Sequence, residues 1–245
     1  MSTATRRILV TGGGSGIGLA LARRFSTDGH DVTVAGRTEA TLAATSLPYI
    51  RMDVTDEASV RDGVDSAGPF DVVIANAGAA ATAPALKTSL ADWNRMIAVN
   101  LTSVYLCARA AAPAMVERGW GRFIAIASTA AVKGYPYAGA YAAAKHGVLG
   151  WIRTLALELA PAGVTANAIC PGYTDTPLIE GAVDAIVQKT GRAPTDAAKT
   201  FTQANPLGRL VKPEEVAAAA LWLASEAGGS VNGQVIVIDG GETAG

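Results

Sequence analysis

The sequence predicts a single-domain α/β protein, residues 1–245, built on a doubly wound sheet of seven parallel strands with helices on both faces. Three observations carry that expectation. Seven short apolar runs rich in β-branched residues recur along the chain, and helical stretches separate them. The third is bulk composition: 245 residues that are 50% hydrophobic and 17% charged suit one large core. Runs that are continuously apolar belong to strands covered on both faces, the condition of a parallel sheet between helical layers.

Taken in order, the strands are expected at 7–11, 31–35, 49–52, 71–75, 122–127, 164–169 and 234–238. The helices are expected at 16–27, 59–66, 90–118, 140–159 and 213–224. Pro213 suits a first helical position, where its missing N–H costs nothing. One segment breaks the rhythm. Residues 174–210 are long for a connection and contain Gly181, Gly191, Pro194 and Pro206. An insertion at the ligand end of a sheet predicts a substrate lid, with a pair of surface helices as the plain alternative.

Charge and composition narrow the partners. A net charge of -1 and a pI near 6.1 give no basic field for nucleic acid or anionic lipid, so small molecules are expected. Two cysteines, Cys107 and Cys170, and two histidines, His30 and His146, show no metal-ligand spacing, so no metal is expected. Both thiols read as small buried hydrophobes. Arg6 and Arg7 lead directly into a strand rather than an apolar leader, and no stretch suits a membrane span. The expected compartment is the cytoplasm.

In a doubly wound sheet the ligand lies at the carboxyl ends of the strands, so residues there carry the functional expectations. After the first strand comes Gly12-Gly13-Gly14-Ser15-Gly16-Ile17-Gly18, opening a helix. Glycines at Gly12, Gly14, Gly16 and Gly18 let backbone approach a pyrophosphate, and the helix N-terminus, with Ser15 and Ile17, supplies free N–H groups. After the second strand, residues 35–38 hold no acid and one cation, Arg37. A carboxylate there would favour an unphosphorylated ribose; Arg37 favours NADP(H) over NAD(H), unless it is a surface residue starting a helix. Asp53 with Val54 after the third strand suits an adenine, and Asn76-Ala77-Gly78 after the fourth suits the adenosine side; either set is also ordinary turn chemistry.

Tyr141 and Lys145 lie four apart and project from one face of a helix. Ser128 ends the fifth strand toward the same crevice, and Asn100 within the 90–118 helix completes a polar set of four. Asn100 alone reads as a kink or cap. His146 points about 100° away from Lys145 and reads as packing or surface.

With these residues in view, the chain resembles the short-chain dehydrogenase/reductase family over nearly its whole length. The likeness rests on TGGGSGIG, Asn76-Ala77-Gly78, Asn100, Ser128, Tyr141 with Lys145, Pro171-Gly172 and the closing VNGQVIVIDGG. Ala75 departs from it, since many members carry a further Asn there. The resemblance implies a Rossmann-type fold and an oxidoreductase that reduces a ketone to a secondary alcohol or the reverse. It gives Tyr141 the proton transfer, Lys145 the positive charge that makes a phenol competent and a hold on the nicotinamide ribose, and Ser128 the substrate oxygen. By the same resemblance Asn100 holds a water serving Lys145, and Pro171, Gly172, Thr174 and Thr176 frame the nicotinamide. A homotetramer is also implied.

The substrate wall is expected from Ser128, Ala130, Tyr135, Ala138, Tyr141, Tyr173, Leu178 and Ile179. VTANAICPGYTDTPLIE is similar to 3-hydroxybutyrate dehydrogenases, yet the positions where those enzymes hold a carboxylate are Ala80, Ala130 and Ala138 here. The 127–148 region, ASTAAVKG to AAKHGV, also resembles polyketide and acyl-thioester ketoreductases. A β-keto acyl thioester or comparable bulky ketone is therefore expected, with a small hydroxy acid as the alternative. A non-catalytic NADP(H)-binding sensor or scaffold would be expected to lose one of the four polar residues, and an epimerase or dehydratase to carry a larger C-terminal region.

Overall fold

The computed structural model describes residues 4–244; residues 1–3, part of the segment read against a leader, and residue 245 lie outside the described residues. The strands are β1 (Arg7–Thr11), β2 (Asp31–Gly36), β3 (Tyr49–Arg51), β4 (Val72–Ala75), β5 (Gly121–Ile126), β6 (Val164–Pro171) and β7 (Val235–Ile238). They form one sheet in the order β3-β2-β1-β4-β5-β6-β7, every neighbouring pair parallel. The winding reverses between β1 and β4, and the crevice opens beyond their carboxyl ends.

The helices are α1 (Gly16–Thr27), α2 (Glu39–Ala43), α3 (Glu57–Ala67), α4 (Leu90–Ile97), α5 (Ser103–Arg118), α6 (Gly139–Leu159), α7 (Pro177–Thr190), α8 (Pro194–Thr202) and α9 (Pro213–Ala224). Alternation along the strands divides the core in two. Ile8 and Val10 of β1 face Leu21 and Phe25 of α1 and Val216 and Leu223 of α9. Leu9 faces the opposite layer, where Phe123, Met115, Val148 and Ile152 are buried. Each such side chain contributes about 1.5–3 kcal/mol by leaving water, so α1 and α9 are held chiefly by their apolar faces.

The sequence-based elements need three corrections. The continuous helix expected at 90–118 is interrupted by a π-helical turn, Ala98–Thr102, which separates α4 from α5. Helix α2, expected only as the alternative reading of Arg37 and without bounds, is one short stretch behind Arg37, with Leu42 as its buried anchor. Helix α3 starts earlier than 59 because the Asp56 carboxylate caps it, accepting from the Ser59 N–H at 2.7 Å.

Residues 174–210 contain α7 and α8, which pack on each other. Their attachment is uneven. Helix α7 has no buried residue, whereas α8 buries Ala197 and Phe201. The segment returns to the body through a bridge between Thr174 and Val211.

Candidate active site

The crevice holds a cleft of about 450 Å³ along the carboxyl ends of β1 to β5. Its floor is the glycine loop. A Cβ on Gly18 would lie 2.1 Å from the Gly12 carbonyl oxygen, so α1 can approach the loop only with hydrogen at that position. Gly12 and Gly16 adopt φ of 65° and 50°, the left-handed region that favours glycine. Gly13 is buried against Val34 and serves packing.

At the start of α1 the Ser15 side chain forms no cap hydrogen bond, and the first turn carries no acid. The leading N–H groups therefore face the cleft with no negative side chain of the first turn competing for them, which fits a bound pyrophosphate. Arg37 and Thr38 line the same cleft beyond β2, and Asp53 and Val54 line it beyond β3. The Asp53 Oδ1 accepts from the Thr55 N–H at 2.9 Å and from its hydroxyl at 2.7 Å. Those bonds, with Arg37 adding a weaker pull, hold the Asp53 carboxyl below its usual range. The turn reading of Asp53 is thus realised at Oδ1, at a residue that also borders the cleft.

Asn76 is a staple between strands. Its Nδ2 donates to the Thr11 carbonyl at 2.9 Å and the Gly12 carbonyl at 3.3 Å, while Thr11 Oγ1 accepts from the Asn76 and Ala77 N–H groups. Ala75, the departure from the family pattern, is simply buried. Gly78 is required for space: a Cβ there would lie 2.8 Å from Asn100 Oδ1 and 3.7 Å from Lys145 Nζ.

Asn100 sits in the π turn and is fully buried. Its Nδ2 donates to the Ala79 carbonyl at 2.8 Å and the Met96 carbonyl at 3.1 Å, and its Oδ1 accepts from the Ala79 N–H at 3.2 Å. The side chain is therefore committed to protein, so a water near Lys145 would have to meet main chain at this residue. Single-turn π bulges commonly mark functional positions because they displace one carbonyl from the helical ladder.

Lys145 is buried in α6 and donates to the Ile126 carbonyl at 2.9 Å. Burial lowers its ammonium from 10.5 to about 8. Its Nζ stands 5.7 Å from the centre of the Tyr141 ring. Burial raises the Tyr141 phenol, and a hydrogen bond from Ser128 acts in the opposite direction. The Ser128 Oγ also accepts from the Ala130 N–H at 3.1 Å, and the Ser128 N–H is directed at the Cys170 thiol. Cys170 and Cys107 are both buried and free, their thiols pushed up to about 11 and about 12 by burial. His146 is exposed and bonds the Ala142 carbonyl.

Tyr141, Lys145, Thr176 and Leu178 border the cleft together with Asn100. Thr174 is buried and Pro171 ends β6, while Thr176 stands over Gly16, whose Cβ would lie 3.2 Å from its side chain. Tyr135, Ala138, Tyr173 and Ile179 are half-buried, and Leu178 is exposed. Ala130 departs from expectation as a substrate contact. It is 2% exposed, enclosed by the turn that Ser128 begins, and presents almost no surface to a ligand. Thr41 was missed: it lines the cleft from α2 and leans on Gly14, whose Cβ would lie 2.9 Å from its methyl.

No helix of the described residues is long and apolar enough to cross a membrane, and the described residues contain no cluster of His, Cys, Asp and Glu suited to a metal ion.

A family model described as enoyl-(acyl carrier protein) reductase matches residues 12–243. The chain is 38% identical to the D-beta-hydroxybutyrate dehydrogenase of Cupriavidus necator, over 95% of this chain and 96% of that protein. It is 37% identical to the 3-oxoacyl-(acyl-carrier-protein) reductase MabA of Mycobacterium bovis, over 97% and 92%. Its structure is similar to that of a point variant of actinorhodin polyketide ketoreductase with NADPH, with a TM-score of 0.90, 34% identity and 97% of each chain covered.

Proposed function

The chain belongs to the short-chain dehydrogenase/reductase family, and from that premise we propose that it reduces a neutral ketone, most suitably a β-keto acyl thioester, with NADPH. It is an oxidoreductase of the ketone and secondary-alcohol class. The observation that carries the reading is that Tyr141 and Lys145 border one end of a cleft whose other end is a glycine loop and an uncapped helix start, with Ser128 acting on the Tyr141 phenol.

In this mechanism Tyr141 gives its proton to the substrate oxygen as negative charge develops, and Ser128 donates a second hydrogen bond to the same atom. Lys145, whose ammonium burial lowers to about 8, holds positive charge beside the phenol and binds the ribose. Asn100 fixes the π turn and the Ala79 backbone that bound this corner. The bound nicotinamide supplies the hydride. Gly12, Gly14, Ser15, Gly16, Ile17 and Gly18 hold the pyrophosphate, Arg37 the 2′-phosphate, Asp53 and Val54 the adenine, and Pro171, Gly172, Thr174 and Thr176 the carboxamide side. Helices α7 and α8 serve as the lid; the weak burial of α7 supports that role. A cytoplasmic homotetramer completes the reading.

A second reading, oxidation of a small hydroxy acid, is favoured by the likeness to the D-beta-hydroxybutyrate dehydrogenase. Exposed Ala80 and half-buried Ala138 give an anion no donor beyond backbone. Initial rates with acetoacetyl-CoA, a cyclic ketone and acetoacetate, with each cofactor, test the two. The thioester with NADPH should exceed acetoacetate at least tenfold in kcat/KM; no turnover above background on any ketone would overturn the enzyme reading.

A further inference from the structure

We propose that Glu242 sets the charge selectivity of the substrate site by keeping a buried carboxylate behind its aromatic wall. This rests on the ketone-reduction reading above. Glu242 lies just beyond β7, with its side chain 2% exposed. Its Oε1 accepts from the Lys133 ammonium at 2.9 Å and from the Tyr135 hydroxyl. Its Oε2 is enclosed and meets no donor among the described residues. That oxygen lies against the turn after β6, where a Cβ on Gly172 would be 3.2 Å away.

The same network reaches the catalytic corner. Tyr135 and Thr129 hydroxyls are 2.7 Å apart, and Thr129 directly follows Ser128. With its O–H donated to Glu242 and its oxygen bonded to Thr129, the Tyr135 hydroxyl is fully occupied, and the ring is what it offers to the adjoining aromatic residues. The ring meets Tyr173 edge-on at 6.1 Å, and Tyr173 meets Phe201 of α8 at 5.0 Å. Both the Tyr135 and Tyr173 phenols are raised, by burial first and by Glu242 as well.

The charges in this wall do not cancel. Lys133 is 38% exposed, so water and salt screen it, whereas the Glu242 carboxylate is enclosed. Asp239 adds a second anion: although burial pushes the other way, hydrogen bonds from Thr243 and Gly241 hold its carboxyl below the usual range. Two carboxylates thus face one partly solvated ammonium. A free acid brought to Ser128 and Tyr141 meets poorly screened negative charge, while an ester or thioester of the same shape does not.

The test compares methyl acetoacetate with acetoacetate at saturating NADPH. Glu242→Gln keeps an acceptor for Tyr135 and removes the charge. It should lower the ester-to-acid ratio of kcat/KM about tenfold, through a lower KM for acetoacetate, with the ester changed less than about twofold. Lys133→Met removes the counter-ion from a partly exposed position and should raise the ratio about threefold. An unchanged ratio in both variants, or equal losses on both substrates, would overturn the proposal. If the NADPH-bound protein turns over neither compound, the reduction reading fails instead. The selectivity is then read by calorimetric titration of that complex with the same two compounds: an approximately tenfold relative gain for acetoacetate in Glu242→Gln upholds it, and equal affinities overturn it.

Discussion

Lys145 holds its ammonium 5.7 Å from the centre of the Tyr141 ring, anchored by the Ile126 carbonyl at the end of β5. The phenol itself is raised by burial, so it retains its proton at neutral pH and is poised to donate. Tyr141→Phe should therefore reduce kcat by at least about a thousandfold, because general acid catalysis contributes about 10²–10⁴ and the hydrogen bond to substrate is lost too. NADPH affinity should change less than about threefold. Fluorescence titration with NADPH beside steady-state rates separates the two, and retained turnover would remove Tyr141 from the acid role.

The buried cation carries a stability cost. Lys145 drops from 10.5 to about 8 on folding because burial disfavours the ammonium. The unfolded chain thus binds the proton more tightly, and the penalty is complete below about pH 8 and fades as pH rises toward 10.5. Linkage makes it about 3 kcal/mol at pH 7, offset by about 1 kcal/mol for the bond to Ile126. Lys145→Met should raise Tm by several degrees at pH 7 while abolishing activity, with the gain shrinking by pH 10. Calorimetry at both pH values decides it, and a lower Tm at pH 7 would count against a charged Lys145 in the free protein.

Glycines in the loop differ in what they tolerate. At Gly18 a methyl would strike a backbone carbonyl at 2.1 Å, which cannot swing aside; at Gly14 it would meet the Thr41 side-chain methyl at 2.9 Å and the Thr41 carbonyl oxygen only at 3.3 Å. Gly18→Ala should destabilise the protein by about 2 kcal/mol or more and eliminate NADPH binding. Gly14→Ala should fold close to normally and bind NADPH more weakly. Thermal unfolding and NADPH titration of both variants check the contrast; equal stability would mean that α1 shifts freely from the loop.

Much of this was legible because it is local. Strands buried on both faces write themselves as apolar runs, and the glycine loop, Tyr141 with Lys145, and Ser128 each sit at a strand end or on one helix face. The parts that were not legible depend on tertiary contact. The π turn around Asn100 has no breaker in Ala98-Val99-Asn100-Leu101-Thr102; it forms where the Asn100 amide finds Ala79, distant in sequence. The enclosure of Ala130 follows from the turn that Ser128 caps, so a position two residues after Ser128 did not guarantee contact with substrate. Glu242 lies 107 residues from the Tyr135 it binds, in a tail whose pattern gives no hint of the pairing.

In the proposed reading, cofactor choice rests on Arg37. It lies exposed at the mouth of the cleft beyond β2, and its charge reaches Asp53 beyond β3, so both border the space where an adenosine ribose would sit. A guanidinium bound to a 2′-phosphate contributes about 1.5–3 kcal/mol through charge-assisted hydrogen bonds, or about 10- to 150-fold in affinity. Arg37→Ala should raise the NADPH Kd by that factor and leave NADH within about twofold, since NADH offers no phosphate at that carbon. The loss should be larger at low ionic strength, because an exposed ion pair is screened by salt. Titrating both cofactors at two salt concentrations checks each part. An unchanged NADPH-to-NADH ratio would place the phosphate on another group and return Arg37 to the role of a surface residue leading into α2.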